Sequence, residues 1–102
     1  MPTISFDSSC NLQCPDTSAT DGSTISWNAD STVSSFSISN IVPETAFTTL
    51  PTSKNNWTAV LGSFTGSITY QVNAFPANVR SCGNLSKQKA PHISAIAPVP
   101  VK

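Results

Sequence analysis

Three cysteines and one histidine are the residues in this sequence whose side chains could form disulfides, bind a metal or take part in catalysis. They are Cys10, Cys14, Cys82 and His92. In an oxidising compartment we expect Cys82 to bond to Cys10 or Cys14, and the remaining cysteine could pair with a neighbouring molecule. A bond of the first kind closes a loop of about 70 residues, which is worth roughly 4 kcal/mol in the chain-entropy model. In a reducing compartment all three would remain thiols.

The same four residues also contain the ligand types of a zinc site. Three thiolates and one imidazole are a known structural set. Three residues separate Cys10 from Cys14, however, and Cys82 and His92 lie ten residues apart, which is a poorer match to the usual ligand spacing. We therefore assign no metal site, and a domain stabilised by zinc through these four residues is the third hypothesis for this chain.

Catalytic residues are not apparent. A nucleophilic mechanism needs a histidine oriented by a carboxylate next to a serine or cysteine, and His92 is the only histidine, on a predicted strand directly after Pro91. The five acids fall mostly in turn-like segments such as Asp21-Gly22, and the four glycines stand singly rather than in a phosphate-binding loop. We predict that the protein is not an enzyme, and we assign it no catalytic residue and no cofactor.

Composition narrows the choice of partner and compartment. Charged residues make up 10% of the chain and the net charge is zero, which argues against nucleic acid because phosphate binding needs a cationic surplus. The sequence contains no run of about 18 apolar residues, the length that is needed to span a membrane. The first residues lack the basic and apolar regions of a signal peptide. We expect a mature extracellular or cell-surface protein, with a cytoplasmic one as the alternative.

The order of the charges is uneven, because every acid precedes every base along the chain. The first interpretation is that the two halves pair across the fold. The second is that two oppositely charged ends meet between neighbouring molecules.

Alternation of apolar and polar residues predicts β-strands throughout. The clearest case is 67–74, where Ile68, Tyr70, Val72 and Ala74 alternate with polar residues. Further strands are predicted over 3–7, 24–27, 33–41, 57–61 and 93–97, and no window has the apolar stripe of a helix. Short strands at this spacing indicate an all-β fold, a Greek-key antiparallel β-sandwich of about seven strands.

The chain is predicted to form a single domain over 1–102. Residues 1–20 form an N-terminal extension with the first strand, and residues 97–102 form a proline-rich tail. The residues predicted to face one another in the core are Ile25, Trp27, Phe36, Ile38, Ile68, Tyr70 and Val72.

Four short motifs resemble the cupredoxin-like Greek-key sandwiches. They are Gly22 to Trp27, Gly66 followed by Tyr70-x-Val72, Cys82, and Pro91 to Ile96. The positions of Trp27 and Tyr70 are also similar to those of an immunoglobulin-like sandwich. A blue copper site needs two histidines, a cysteine and usually a methionine, whereas this chain has one His, and its one Met is residue 1. The resemblance implies a sandwich that lacks the copper ligands.

These observations favour a non-enzymatic β-sandwich that acts by surface association. The first hypothesis is a structural or self-assembling extracellular subunit, whose partner is itself in a homo-oligomer or fibre. The alternative is a ligand-free cupredoxin-like or immunoglobulin-like binding module for a glycan or another protein. Trp57 is the aromatic residue that we expect at an exposed rim.

Overall fold

The computed structural model describes residues 2–96, which form an all-β protein. The strands are β1 (Thr3–Phe6), β2 (Leu12–Gln13), β3 (Thr17–Thr20), β4 (Thr24–Ser26), β5 (Asn28–Ala29), β6 (Val33–Val42), β7 (Phe47–Thr49), β8 (Thr58–Leu61), β9 (Gly66–Pro76), β10 (Lys87–Lys89) and β11 (His92–Ile96). The other elements are a four-residue helix, α1 (Val79–Cys82), and two 3-10 turns at Glu44–Ala46 and Ser53–Asn55. The expected all-β fold is confirmed, with more strands than seven because several runs are interrupted.

The largest sheet has five strands and is built around β9. Strand β6 pairs with one side of β9, while β10 and β11 follow one another along its other side, separated by Ala90 and Pro91. Strand β3 lies beyond β11 and runs parallel to it, with Ile93 opposite Thr17. The remaining pairings in this sheet are antiparallel, as the sequence predicted.

Two three-stranded sheets contribute the rest of the sandwich. Their orders are β4-β8-β7 and β2-β1-β5, and β1 runs parallel to β5. Only Trp27 separates β4 from β5, and its backbone N–H donates to the carbonyl of Trp57. Between β4 and β9 the chain alternates between these smaller sheets and the large one, so sequence neighbours such as β5 and β6 do not pair with each other.

Side chains from all three sheets form one core. The alternation of 67–74 is realised in β9, where Ile68, Tyr70, Val72 and Ala74 are buried. The predicted core residues Ile25, Trp27 and Ile38 are also buried, and Phe36 packs partly buried against them. Strand formation and burial thus follow from the same two-residue period, because successive side chains in a strand point to opposite faces.

The first twenty residues are more deeply integrated than the expected extension with one strand. They contain β1, β2 and β3, and Ile4, Phe6, Leu12 and Cys14 belong to the core. The predicted strand over 93–97 is found as β11, and the predicted proline-rich tail lies outside the described residues. Among residues 2–96 there is no helix long and apolar enough to cross a membrane.

Candidate functional site

The structure resolves which N-terminal cysteine bonds to Cys82. Cys10 and Cys82 form a disulfide with a Cα–Cα distance of 5.4 Å and a sequence separation of 72. Cys10 lies in the loop between β1 and β2, and Cys82 is the last residue of α1. The expectation of a disulfide to Cys82 is confirmed, and the bond joins the N-terminal segment to the connection between β9 and β10.

Cys14 is a thiol in the core, 2% exposed. Its Sγ lies 3.5 Å from the Tyr70 hydroxyl, which also lies 3.0 Å from the indole Nε1 of Trp27. Because the indole N–H can only donate, the hydroxyl oxygen accepts there and its hydrogen can point to the sulfur. Burial raises the pKa of the Cys14 thiol and that of the Tyr70 hydroxyl.

The burial of Cys14 argues against a bond between the remaining cysteine and a neighbouring molecule, which stays a prediction. A thiol becomes reactive when it is exposed and its pKa is low, and Cys14 has neither property. In this fold its role is to pack beside Tyr70 and Trp27. An intermolecular bond through its sulfur would require this part of the core to open.

His92 does not join the cysteines. Its backbone N–H donates to the Asp16 Oδ1 at 2.9 Å, and its ring Nδ1 lies 3.8 Å from the same oxygen, with the side chain about half exposed. Within residues 2–96 no three His, Cys, Asp or Glu side chains are grouped so that they could hold a metal ion. A zinc site of Cys10, Cys14, Cys82 and His92 does not match this arrangement, because two of its thiolates are consumed in the disulfide and the third sulfur is buried next to Tyr70.

Two of the acids act as hydrogen-bond acceptors in turns. Asp7 accepts from the backbone N–H groups of Asn11 and Ser9, and the bond from Asn11 is the main cause that lowers its pKa. Asp30 accepts from the hydroxyl and the backbone N–H of Thr32, and these bonds lower its pKa. Both carboxylates therefore stay ionised and stabilise local turns.

The other charges remain solvated in the described part of the chain. Over residues 2–96, no Lys or Arg side chain lies within 4.0 Å of an Asp or Glu carboxylate, and the one close pair of a basic and an acidic side chain is His92 with Asp16. The interpretation in which the acidic and basic halves pair across the sandwich is thus not realised there. Their charges are left for solvent or for another molecule.

The outer face of the large sheet is polar and almost uncharged. Asn40 Nδ2 donates to Gln71 Oε1 at 2.6 Å, and Gln71 Nε2 donates to Asn73 Oδ1 at 3.1 Å. A shallow depression of about 410 Å³ opens beside Gln71 and Gln88 on this face. Such a row of amides offers donors and acceptors to a neutral polar ligand.

The most unusual feature of the surface is strand β6. It has ten residues and pairs with β9, and within residues 2–96 no second strand pairs with its other edge. It contains no charged residue and no proline. Edge strands of soluble proteins are normally short, charged or interrupted by proline, because unpaired N–H and C=O groups bind further strands.

Strand β10 shows the contrast within the same sheet. It also has a single strand partner in the described chain, but it is only three residues long, and Lys87 and Lys89 stand at its two ends. Lysine at an edge opposes the approach of another strand. The protection that β10 carries is missing from β6.

Phe36 of β6 forms an aromatic pair with Trp57. The rings of Phe36 and Trp57 are 5.8 Å apart and tilted by 41°, and both side chains are half-buried. The expectation of Trp57 at an exposed rim is therefore met only in part. The lack of charge in β6 is visible in the sequence but its edge position is not, so the sequence alone does not mark this strand as a candidate site.

The arrangement combines a disulfide, a solvated set of charges and an open strand edge. Comparison of this chain with protein-family models, with curated proteins and with solved structures found no match. A functional proposal therefore has to rest on the residues themselves.

Proposed function

We propose that this protein is a non-enzymatic structural module that acts by associating with further copies of itself. The observation that carries the proposal is the open edge of β6, ten residues long and without charge. An edge of this kind exposes backbone donors and acceptors that are best satisfied by another strand. Strand addition of this type is a recurrent mode of protein recognition.

The composition supports the same proposal. A chain with zero net charge and 10% charged residues has little electrostatic repulsion between copies. In the described residues no Lys or Arg forms an ion pair with Asp or Glu, so acidic groups of one copy can meet basic groups of another. The Cys10–Cys82 disulfide favours an extracellular or cell-surface setting, because such bonds persist in oxidising compartments.

A second candidate function is a binding module for a glycan or another protein. The outer face of the large sheet favours it, because the amides of Gln71 and Gln88 line the depression there, next to Lys89, and could hydrogen-bond a polar ligand. The strand order favours the immunoglobulin-like form of this candidate. Strands β4, β8 and β7 pair in one sheet and β6, β9 and β11 in another, which is the pattern of immunoglobulin sandwiches.

Light scattering at two protein concentrations tests the proposal. We expect a mass that rises with concentration to at least twice 10.7 kDa. Ser37→Lys places a charge on β6 and should keep the protein monomeric, whereas the control Ser94→Lys, on β11 between two paired strands, should associate like the wild type. A wild-type mass of one chain at both concentrations would overturn the proposal and favour the binding module.

A further inference from the structure

We propose that two copies pair through β6 in antiparallel fashion about a two-fold axis at Ser37, which joins their large sheets into one. This inference rests on the proposed function and specifies its interface. The partner is a second copy of this chain, bound along the edge of β6 that β9 does not occupy. Three features of β6 favour this pairing, namely its register with β9, the faces to which its side chains point and its lack of charge.

The register confines regular pairing to the middle of β6. The pairing of β6 with β9 shifts between Val33 and Ser35 and again between Ser39 and Val42. Such bulges bend a strand and interrupt its regular edge. Between them, Ser35 to Ser39 pair with β9 without interruption. A second strand can follow the regular geometry of this five-residue segment, which we call the pairing window.

Two-fold symmetry then selects the centre of the pairing. In a symmetric interface, residue i contacts residue j of the partner and residue j contacts i. An axis at Ser37, the middle of the pairing window, places all five residues of the window opposite residues of the partner's window. An axis at Phe36 or at Ile38 would place only three residues of the window opposite residues of the partner's window.

The side chains agree with this centre. Ser35, Ser37 and Ser39 oppose Phe75, Asn73 and Gln71, which β9 directs to the outer face. Phe36 and Ile38 point inward instead. With the axis at Ser37, serines oppose serines on the outer face. On the inner face, Phe36 opposes the partner subunit's Ile38. If the pairing register changed by one residue, each serine would lie opposite an apolar residue of the partner, and the partner sheet would be turned over.

The pairing is also compatible with the charge and the side-chain packing of β6. Like charges directly opposite each other destabilise strand pairs, and β6 has none to oppose. Phe36 is half-buried in its contact with Trp57, so it keeps exposed surface at the edge of β6 that a second copy can cover. A five-residue window is smaller than a standard interface. We therefore expect a dimer that forms with rising concentration, closed by its symmetry.

Cysteine cross-linking tests the register. Opposed residues in an antiparallel pair have Cβ atoms about 4.5–5.5 Å apart, close to disulfide reach. Residues offset by four positions lie about 14 Å apart along the strand. Under mild oxidation we expect Ser37→Cys to form a covalent dimer by itself. Ser35→Cys and Ser39→Cys should cross-link when the two variants are mixed, and neither should do so alone.

The controls separate failure of this inference from failure of the proposed function. Ser94→Cys is exposed on the same face but lies on β11, away from β6, so it should associate like the wild type and form no covalent dimer. Cys14 is present and buried in every variant, so it contributes equally to the background. If the wild type associates but Ser37→Cys does not cross-link, or if Ser35→Cys cross-links alone, the proposed pairing is wrong and self-association stands. A monomeric wild type would overturn both.

Discussion

Removal of the Cys10–Cys82 disulfide is the perturbation whose effect can be calculated most directly from this structure. The bond connects residues 72 apart, so most of the chain lies within the closed loop. In the chain-entropy model, a loop of this length lowers the entropy of the unfolded chain by about 15 cal/mol/K, which corresponds to about 4.4 kcal/mol at 25 °C. Small domains have a total stability of about 5–15 kcal/mol. We expect Cys10→Ala with Cys82→Ala to remain folded at 25 °C but with a much reduced free energy of unfolding.

Urea unfolding followed by tryptophan fluorescence measures this loss. The two half-buried sulfurs contribute little core surface, so most of the effect should come from the unfolded state. For that reason we also expect a steeper dependence on urea, because an unfolded chain without the cross-link exposes more surface. Wild-type protein treated with a reductant should match the double variant, and the double variant should not respond to reductant. A loss below about 1 kcal/mol would refute the loop-closure argument.

Four further outcomes follow from the buried network and the core. Tyr70→Phe should lower the free energy of unfolding by about 1–3 kcal/mol in urea titrations, because the buried Trp27 indole N–H loses its acceptor; an unchanged midpoint would contradict this role. Burial raises the pKa of Cys14 and of Tyr70, so above about pH 9 the unfolded chain loses these protons first and stability should fall, by up to about 1.4 kcal/mol per pH unit for each group. Cys14→Ala should make that alkaline slope shallower, and an equal slope would count against the assignment. Mass spectrometry after alkylation without reductant should show no label on the native protein and one label, on Cys14, after denaturation; labelling of the native protein would contradict its burial. Ile68→Ala should cost about 2–5 kcal/mol because Ile68 is fully buried, whereas Ile96→Ala, at a side chain 51% exposed, should cost far less; comparable losses would show that the core is assigned wrongly.

The local pattern of the sequence determined the class of fold and much of the core. The alternation of 67–74 was sufficient to predict a strand with Ile68, Tyr70 and Val72 inward, and β9 has these residues buried. This works because strand formation and burial share the same two-residue period, so a short window contains both signals. A disulfide from Cys82 to Cys10 or Cys14 was one of the hypotheses drawn from the sequence, beside free thiols and a zinc site, and the fold realises it with Cys10.

Features that depend on distant segments were decided only by the tertiary structure. The sequence could not choose between Cys10 and Cys14, because the choice depends on which of them faces the core beside Tyr70 and which lies in a loop near α1. It could not show that the N-terminal segment supplies three strands, since β3 is held by β11 from the far end of the chain. The open edge of β6 is of the same kind. Its uncharged residues are visible in the sequence, but strands pair between residues far apart along the chain. Only the folded sheet shows which edge lacks a strand partner within residues 2–96.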